Sequence, residues 1–458
     1  MKLFNIMNKI GVQLKRMTHP QILVIGFAAL IITGALLLML PIATTDGQGA
    51  SFLTALFTST SAVCVTGLVV VDTGTYWATF GQVVILLLIQ IGGLGFMAMA
   101  TMLFLITGKK ISMKSRMLLK TSFSADSLEG IIRYVKYVIF FTLVVEAIGA
   151  VLLCGVFIPA YGVERGIFMS VFHAVSAFCN AGFDIMGGGG VGFMPFVTNV
   201  LLNLVIVCLI VIGGIGFAVA MDVISKRKFS QYEFNTKIVL IATGFLILFG
   251  TVSVFISEYN NPNTIGDLPF FGKVLASVFT SVTPRTAGFN TVSIGSLHSF
   301  TKMIIMLLMF IGGSPGSTAG GVKTTSFSVF ILAMFRTIQG YDEIRVYQRR
   351  INSSVIKKAM AITMLGIIWI LTATTVLYVC ERQISLGNLM FEVVSAFGTV
   401  GLSTGITSSL SSVSKVVLIL TMFFGRVGIM TVAYAINRFN EMRNTMGSYK
   451  YPDGNLLL

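Results

Sequence analysis

The sequence predicts an all-α membrane protein: four pseudo-symmetric M1–P–M2 repeats, with eight transmembrane helices and four re-entrant pore half-helices, around one central pore. Three observations predict it. First, a short motif recurs: S-A-V-C-V-T-G-L (61–68), S-A-F-C-N-A-G-F (176–183), V-T-P-R-T-A-G-F (282–289) and S-A-F-G-T-V-G-L (395–402). Its glycines, Gly67, Gly182, Gly288 and Gly401, are 115, 106 and 113 residues apart. Second, 55% of the 458 residues are hydrophobic and 11% charged, with a mean hydropathy of +0.90. A soluble surface needs about 25% charged residues, so lipid must be the main solvent. Third, the basic residues are segregated. Five stretches, 2–16, 109–136, 226–237, 336–358 and 438–450, hold 24 of the 32 Lys and Arg. The positive-inside rule puts all five on the cytoplasmic side, with both termini. The net charge of +15 is therefore a matter of orientation and anionic lipid, not of nucleic acid.

Taken in order, residues 1–20 form a cytoplasmic tail. Its basic start followed by an apolar run imitates a signal peptide. The run, 21–42, is long enough to span and too long for the h-region of a signal. The first repeat is 21–106, with spans at 21–42 and 79–106 and a short run at 51–62. A linker and the second repeat occupy 107–224, with spans at 132–158 and 197–224 and a short run at 166–178. A linker and the third repeat occupy 225–335, with spans at 236–257 and 300–335 and a short run at 271–283. A linker and the fourth repeat occupy 336–437, with spans at 355–380 and 413–437 and a short run at 387–397. Residues 438–458 are a second cytoplasmic tail. A helix of about 10–12 residues reaches only halfway through the hydrocarbon. Irregular backbone after it is tolerated only where it lines a cavity. Each second span carries a small-residue element: I-G-G-L-G-F (91–96), I-G-G-I-G-F (212–217), I-G-G-S-P-G (311–316) and F-G-R-V-G-I (424–429). Small residues let helices approach closely and also permit a break. The third, with G-G-S-P-G-S-T-A-G-G (312–321), cannot remain a continuous helix.

The candidate ion-binding residues are Cys64, Val65, Thr66 and Gly67; Cys179, Asn180, Ala181 and Gly182; Arg285, Thr286, Ala287 and Gly288; and Gly398, Thr399, Val400 and Gly401. Their side chains differ between repeats, which fits coordination by backbone carbonyls. Glycine supplies backbone angles that other residues resist. No ring of acidic residues accompanies the glycines, which disfavours a calcium-type filter. Half-helix C-termini aimed at the cavity favour a cation. Arg285 is read as a structural arginine behind its loop, paired with Glu392, and His173 as a satisfied hydrogen bonder. Glu146, mid-span, is read as a member of a structural pair. Arg426 replaces a glycine within an apolar helix and is a functional candidate, a cation just below the filter that segment 312–321 can hydrogen-bond.

Other chemistries are excluded. G-S-T-A-G-G-V-K-T (316–324) is no phosphate loop, because Val322 separates the glycine from the lysine. The five cysteines make no CxxC spacing, and with three histidines no catalytic pair is present. The chain is read as a non-enzyme that binds no nucleotide itself. An alternating-access carrier for organic solutes would need inverted repeats, whereas these four run in parallel.

Four helix–loop–helix units with one filter glycine each, and a glycine-rich break in the third unit, resemble the Trk/Ktr/HKT superfamily of cation transporters. The resemblance covers residues 20–450 and is greatest to the membrane subunit of bacterial Ktr potassium uptake systems. Glycine at all four filter positions implies K+ as the transported ion, with Na+ dependence left open. The alternative is a sodium-selective or sodium/potassium symporting member. The resemblance implies an intramembrane gate at Gly316–Gly321, drawn here to include Gly312, Gly313, Gly316, Ser317, Thr318, Ala319, Gly320 and Gly321, with Arg426 as its associated arginine. It further implies a homodimer of pores in the cell inner or plasma membrane and a separate cytoplasmic regulator, an octameric ring of nucleotide-binding RCK-type domains. The tail Y-K-Y-P-D-G-N-L-L-L is similar to the dimer-interface terminus of that family.

Overall fold

A computed structural model describes residues 18–95, 98–99, 101, 117, 119, 130–188, 191–341, 344–347 and 349–436. Residues 1–17 of the first expected tail, the whole second tail and most of the expected linker 107–131 lie outside the described residues. The first described helix is α1 (His19–Leu38), at whose start the Gln21 side chain accepts the Thr18 N–H at 3.0 Å. It continues through α2 (Phe52–Val63), α3 (Thr79–Leu94), α4 (Ile131–Tyr161) and α5 (Val163–Phe178). Next come α6 (Val200–Gly214), α7 (Phe217–Ser225), α8 (Phe234–Glu258), α9 (Phe270–Val282), α10 (Ser299–Phe310) and α11 (Thr324–Ile338). The last four are α12 (Ser353–Cys380), α13 (Leu386–Gly398), α14 (Ser412–Val427) and α15 (Ile429–Ile436). Several starts are written in the sequence: Ser51, Asn199, Ser385 and Ser411 each accept a first-turn amide.

Pro20–Leu38, Ile131–Tyr161, Phe234–Glu258 and Ser353–Cys380 are each long and apolar enough to cross a bilayer. Their outer faces stay apolar: Phe140 is 69% exposed, Val151 71% and Ile256 71%. The interior is comparatively polar, with Thr58, Ser59, Thr60 and Ser61 fully buried. That inversion suits lipid outside and a polar axis within. Two buried hydroxyls bond to the backbone of a neighbouring helix. Ser59 donates to the Ile31 carbonyl and Ser281 to that of Ile247, both at 2.7 Å, tying half-helices to first helices.

The second spans depart from expectation. The sequence reading drew 79–106, 197–224 and 413–437 as single spanning helices. Instead α3 stops at Leu94, α6 meets α7 at 101° and α14 meets α15 at 95°. The cause lies in the small-residue element. Its last glycine, Gly95, Gly216 or Gly428, takes a φ of 83°, 96° or 89°, which a helix cannot continue. Its first glycine has a different task. A Cβ on Gly92, Gly213 or Gly425 would overlap the carbonyl oxygen of Val63, Phe178 or Phe397 respectively, at the end of a half-helix. The expected break in the third unit is present: α10 ends at Phe310 and α11 begins at Thr324. The base of that loop is stitched by Gly312 N–H to the Val322 carbonyl (2.9 Å) and Thr324 N–H to that of Gly313 (3.1 Å).

The linker 336–354 holds a short hairpin that the sequence did not suggest, Arg345–Val346 paired with Arg349–Arg350. Ile344 and Ile351 anchor it on Val329, Ala333 and Ala359.

Candidate functional site

The four glycine motifs meet. In each, the residue two before the glycine turns into the left-handed region: Val65 (57°), Asn180 (58°), Thr286 (66°) and Thr399 (50°). The glycines follow at 89°, 69°, 79° and 91°. Five-residue turns with two such angles throw successive carbonyls to one side, and the left-handed angle costs a β-branched residue about 1–2 kcal/mol. Val65, Thr286 and Thr399 carry that strain, while Asn180 is a residue that tolerates the angle.

The glycines also pack around a closed circuit. A Cβ on Gly67 would lie 2.5 Å from the Ala181 carbonyl oxygen, and one on Gly182 2.6 Å from that of Ala287. One on Gly288 would overlap the Val400 oxygen, and one on Gly401 the Thr66 oxygen. Each loop thus leans on the carbonyl before the next glycine, and the fourth returns to the first. All four glycines line a single cavity of about 260 Å³, together with Asp72 and Asp184.

The serine six residues before the glycine, present in three of the motifs, was not singled out from the sequence, although its recurrence was visible. Ser61 and Ser395 accept the N–H of Gly67 (3.0 Å) and Gly401 (3.1 Å). Ser176 donates instead to the Phe183 carbonyl at 2.8 Å. In the third motif Thr283 serves, donating to the carbonyl of Phe289.

Nine residues before the glycine sit His173 and Glu392, both fully buried. His173 Nδ1 lies 2.7 Å from the Met169 carbonyl, so that nitrogen carries the proton and Nε2 accepts the Ile185 N–H at 3.3 Å. It is the satisfied hydrogen bonder expected. The expected Arg285–Glu392 pair is not formed. Glu392 is already saturated by Ser403 Oγ (2.5 Å), Thr407 Oγ1 (3.0 Å) and the Thr404 N–H (3.1 Å). Arg285 lies behind its loop as expected, but it donates to Thr243 Oγ1 at 3.5 Å and faces a cavity of about 10 Å³, room for about one water. Among the described residues Glu146 has no cation partner either. It accepts from Gln90 Nε2 at 3.1 Å and lies 3.7 Å from Cys179 Sγ.

Because three donors converge on one buried carboxylate, Glu392→Ala is expected to lower stability by about 2–4 kcal/mol. Thermal unfolding of the detergent-solubilised protein reads this as a lowered midpoint. An unchanged midpoint contradicts an anchoring role.

At the end of the loops away from the cavity lies the 312–321 segment. Ser314 N–H and Thr318 N–H reach the carbonyls of Gly214 (3.0 Å) and Gly213 (3.3 Å), and Phe217 N–H reaches that of Gly316 (3.0 Å). The bend at Gly216 frees those α6 carbonyls from helical donors, and the loop caps them. Thr318 Oγ1 also donates to the Phe178 and Gly213 carbonyls, each at 3.1 Å. Gly320 abuts Thr399 and Gly321 abuts Gly398. Arg426 completes the contact, donating to the carbonyls of Thr318 and Gly92 and, at 3.0 Å, Gly93. The sixteen loop residues and the glycine-rich segment, chosen from sequence, are therefore one contiguous assembly with Arg426.

Among the described residues no group of three or more His, Cys, Asp or Glu could hold a metal ion. The oxygens against which the four glycines pack are backbone carbonyls, those of Ala181, Ala287, Val400 and Thr66.

Comparison with known proteins gives a consistent answer. Residues 3–443 match the family model described as TrkH, cation transport protein. The chain is 42% identical to the Ktr system potassium uptake protein B of Bacillus subtilis (strain 168) over 439 residues, 96% of each. It is 38% identical to the potassium/sodium uptake protein NtpJ of Enterococcus hirae, across 97% of this chain and 98% of that one. The crystal structure of the potassium transporter TrkH from Vibrio parahaemolyticus superposes with a TM-score of 0.72 at 18% identity, covering 91% of this chain and 84% of that one.

Proposed function

Since the chain belongs to the TrkH family of cation transport proteins, a family of multi-pass membrane transporters and not of enzymes, we propose that it is the pore-forming subunit of a Ktr-type potassium uptake system. The observation that carries this reading is the circuit of four glycine loops lining one cavity. On this reading the carbonyls of 64–67, 179–182, 285–288 and 398–401 replace the water shell of K+. Neutral oxygens with no carboxylate among them suit a large monovalent ion better than a divalent one. Asp72 and Asp184, at the mouth of the cavity, concentrate cations there. The membrane potential supplies about 2.3 kcal/mol per charge per 100 mV, so no chemical reaction is required of the chain.

The 312–321 segment with Arg426 is the gate in this proposal. A cytoplasmic RCK-type ring, binding nucleotide, shifts its equilibrium by preferring one of its states. The chain works as a homodimer in the plasma membrane with both termini in the cytoplasm. These assignments are supported by the family and by the segregation of basic residues. The second reading, sodium transport or sodium/potassium symport, is favoured by one observation: the likeness to the potassium/sodium uptake protein NtpJ.

Rubidium and sodium uptake by a cell lacking its own potassium uptake separates the two. Rubidium uptake well above sodium uptake is expected. Sodium entry at equal or greater rate overturns the potassium assignment.

A further inference from the structure

Among the described residues Arg426 is a half-buried cation paired with no anion; it donates to three backbone carbonyls, those of Gly92, Gly93 and Thr318. Two belong to the last turn of α3, which ends at Leu94 because Gly95 turns away at φ 83°. The Gly92 carbonyl also accepts the Gly95 N–H, at 3.3 Å. The third comes from the opposite side, out of the 312–321 segment. Oxygens from two separate elements thus converge on one singly charged, weakly hydrated group.

Lys323 repeats the arrangement one residue further along. Its Nζ donates to the Ala319 carbonyl at 2.7 Å. Thr318 itself occupies the neighbouring carbonyls of Phe178 and Gly213. In this conformation the carbonyls of Gly92, Gly93, Thr318, Ala319, Phe178 and Gly213 are each held by a side-chain donor of the protein's own.

We propose that the Gly92, Gly93 and Thr318 carbonyls form an inner binding site for a large monovalent cation, and that the Arg426 guanidinium is its tethered occupant. The proposal rests on the reading of the glycine ring as a cation path, and adds a second site beneath it. A guanidinium and a dehydrated potassium ion present the same problem to backbone oxygens: one positive charge, neutral dipoles, and no carboxylate. When Arg426 withdraws, all three oxygens lose its donors in a low-dielectric interior, where a poorly satisfied acceptor is costly. A passing cation satisfies them. The arginine then acts by competing for the oxygens as well as by repelling charge, and transport alternates between a tethered cation and a free one.

Thallium(I), a heavy monovalent ion, tests this on the full-length purified protein. Bound Tl+ is counted by equilibrium dialysis and located by anomalous scattering, in the wild type and in Arg426→Ala, Arg426→Met and Arg426→Lys. The methionine keeps the packing of the stem, so the test survives if the alanine variant does not fold. Tl+ at the glycine ring is the internal control in every sample. The neutral variants are expected to bind one more Tl+ per chain than the wild type, placed among the Gly92, Gly93 and Thr318 oxygens and displaced by added guanidinium. The wild type and Arg426→Lys are expected to show ring ions only. Ring ions without an inner ion in both neutral variants overturn the inner site and leave the pore reading standing. No Tl+ at the ring in any sample overturns both.

Discussion

Gly182→Asp is expected to abolish potassium uptake while leaving the protein in the membrane. At φ 69° any side chain is strained, and the new Cβ would lie 2.6 Å from the Ala287 carbonyl oxygen and 2.9 Å from the Gly288 Cα. The second loop must therefore shift against the third. The carboxylate adds an anion to a ring of neutral dipoles, trapping a cation where it should pass. Losing about 2.7 kcal/mol of transition-state stabilisation slows passage about a hundredfold, and the two effects together should reach that. Rubidium uptake normalised to membrane-extracted protein reads the result. Undiminished uptake contradicts the ring. Absence of the protein from the membrane would be a folding defect, which Gly182→Ala separates by carrying the strain without the charge.

Deleting Gly316–Gly321 is expected to yield transport that no longer depends on the regulatory partner. The deletion removes the Thr318 bonds to Gly213 and Phe178, the Gly316 bond to Phe217, and the Thr318 and Ala319 carbonyls held by Arg426 and Lys323. The stitch between Gly312 and Val322 that ties α10 to α11 remains. Neutral hydrogen bonds contribute about 0.5–1.5 kcal/mol each. A loss of roughly 3 kcal/mol moves a two-state gate by about a hundredfold. Proteoliposomes containing the chain alone should then leak potassium at the rate the wild type reaches only with its partner. A dead or still fully regulated variant contradicts a gate at this place.

Much of this was legible in the sequence because lipid and pore impose opposite demands on neighbouring residues. Long apolar runs can only span, short ones ending in glycine can only dip, and both limits come from bilayer thickness. The glycines at 67, 182, 288 and 401 were readable because no other residue tolerates both their φ and their approach to the next carbonyl. The bends at Gly95, Gly216 and Gly428 were harder. The same glycines serve close packing and chain reversal, and composition does not say which. Only Pro315 made the third break unambiguous. The partner of Arg285 was misread because charge complementarity suggested Glu392, whereas Glu392 finds Ser403, Thr404 and Thr407 on its own outer loop. Local hydroxyls satisfied it without an ion pair, and Arg285 is buried separately beside Thr243. Asn180 shows the same limit: its amide bridges to the Arg285 carbonyl at 3.2 Å, a link between the second and third loops invisible in either motif alone.

The central claim is that backbone oxygens of four loops hold a dehydrated cation on a common axis. Anomalous scattering from the wild-type protein equilibrated in rubidium tests it most directly. A peak on the axis beside Gly67, Gly182, Gly288 and Gly401, absent when sodium replaces rubidium, is the predicted result. A rubidium-saturated structure with no ion among those four loops contradicts it.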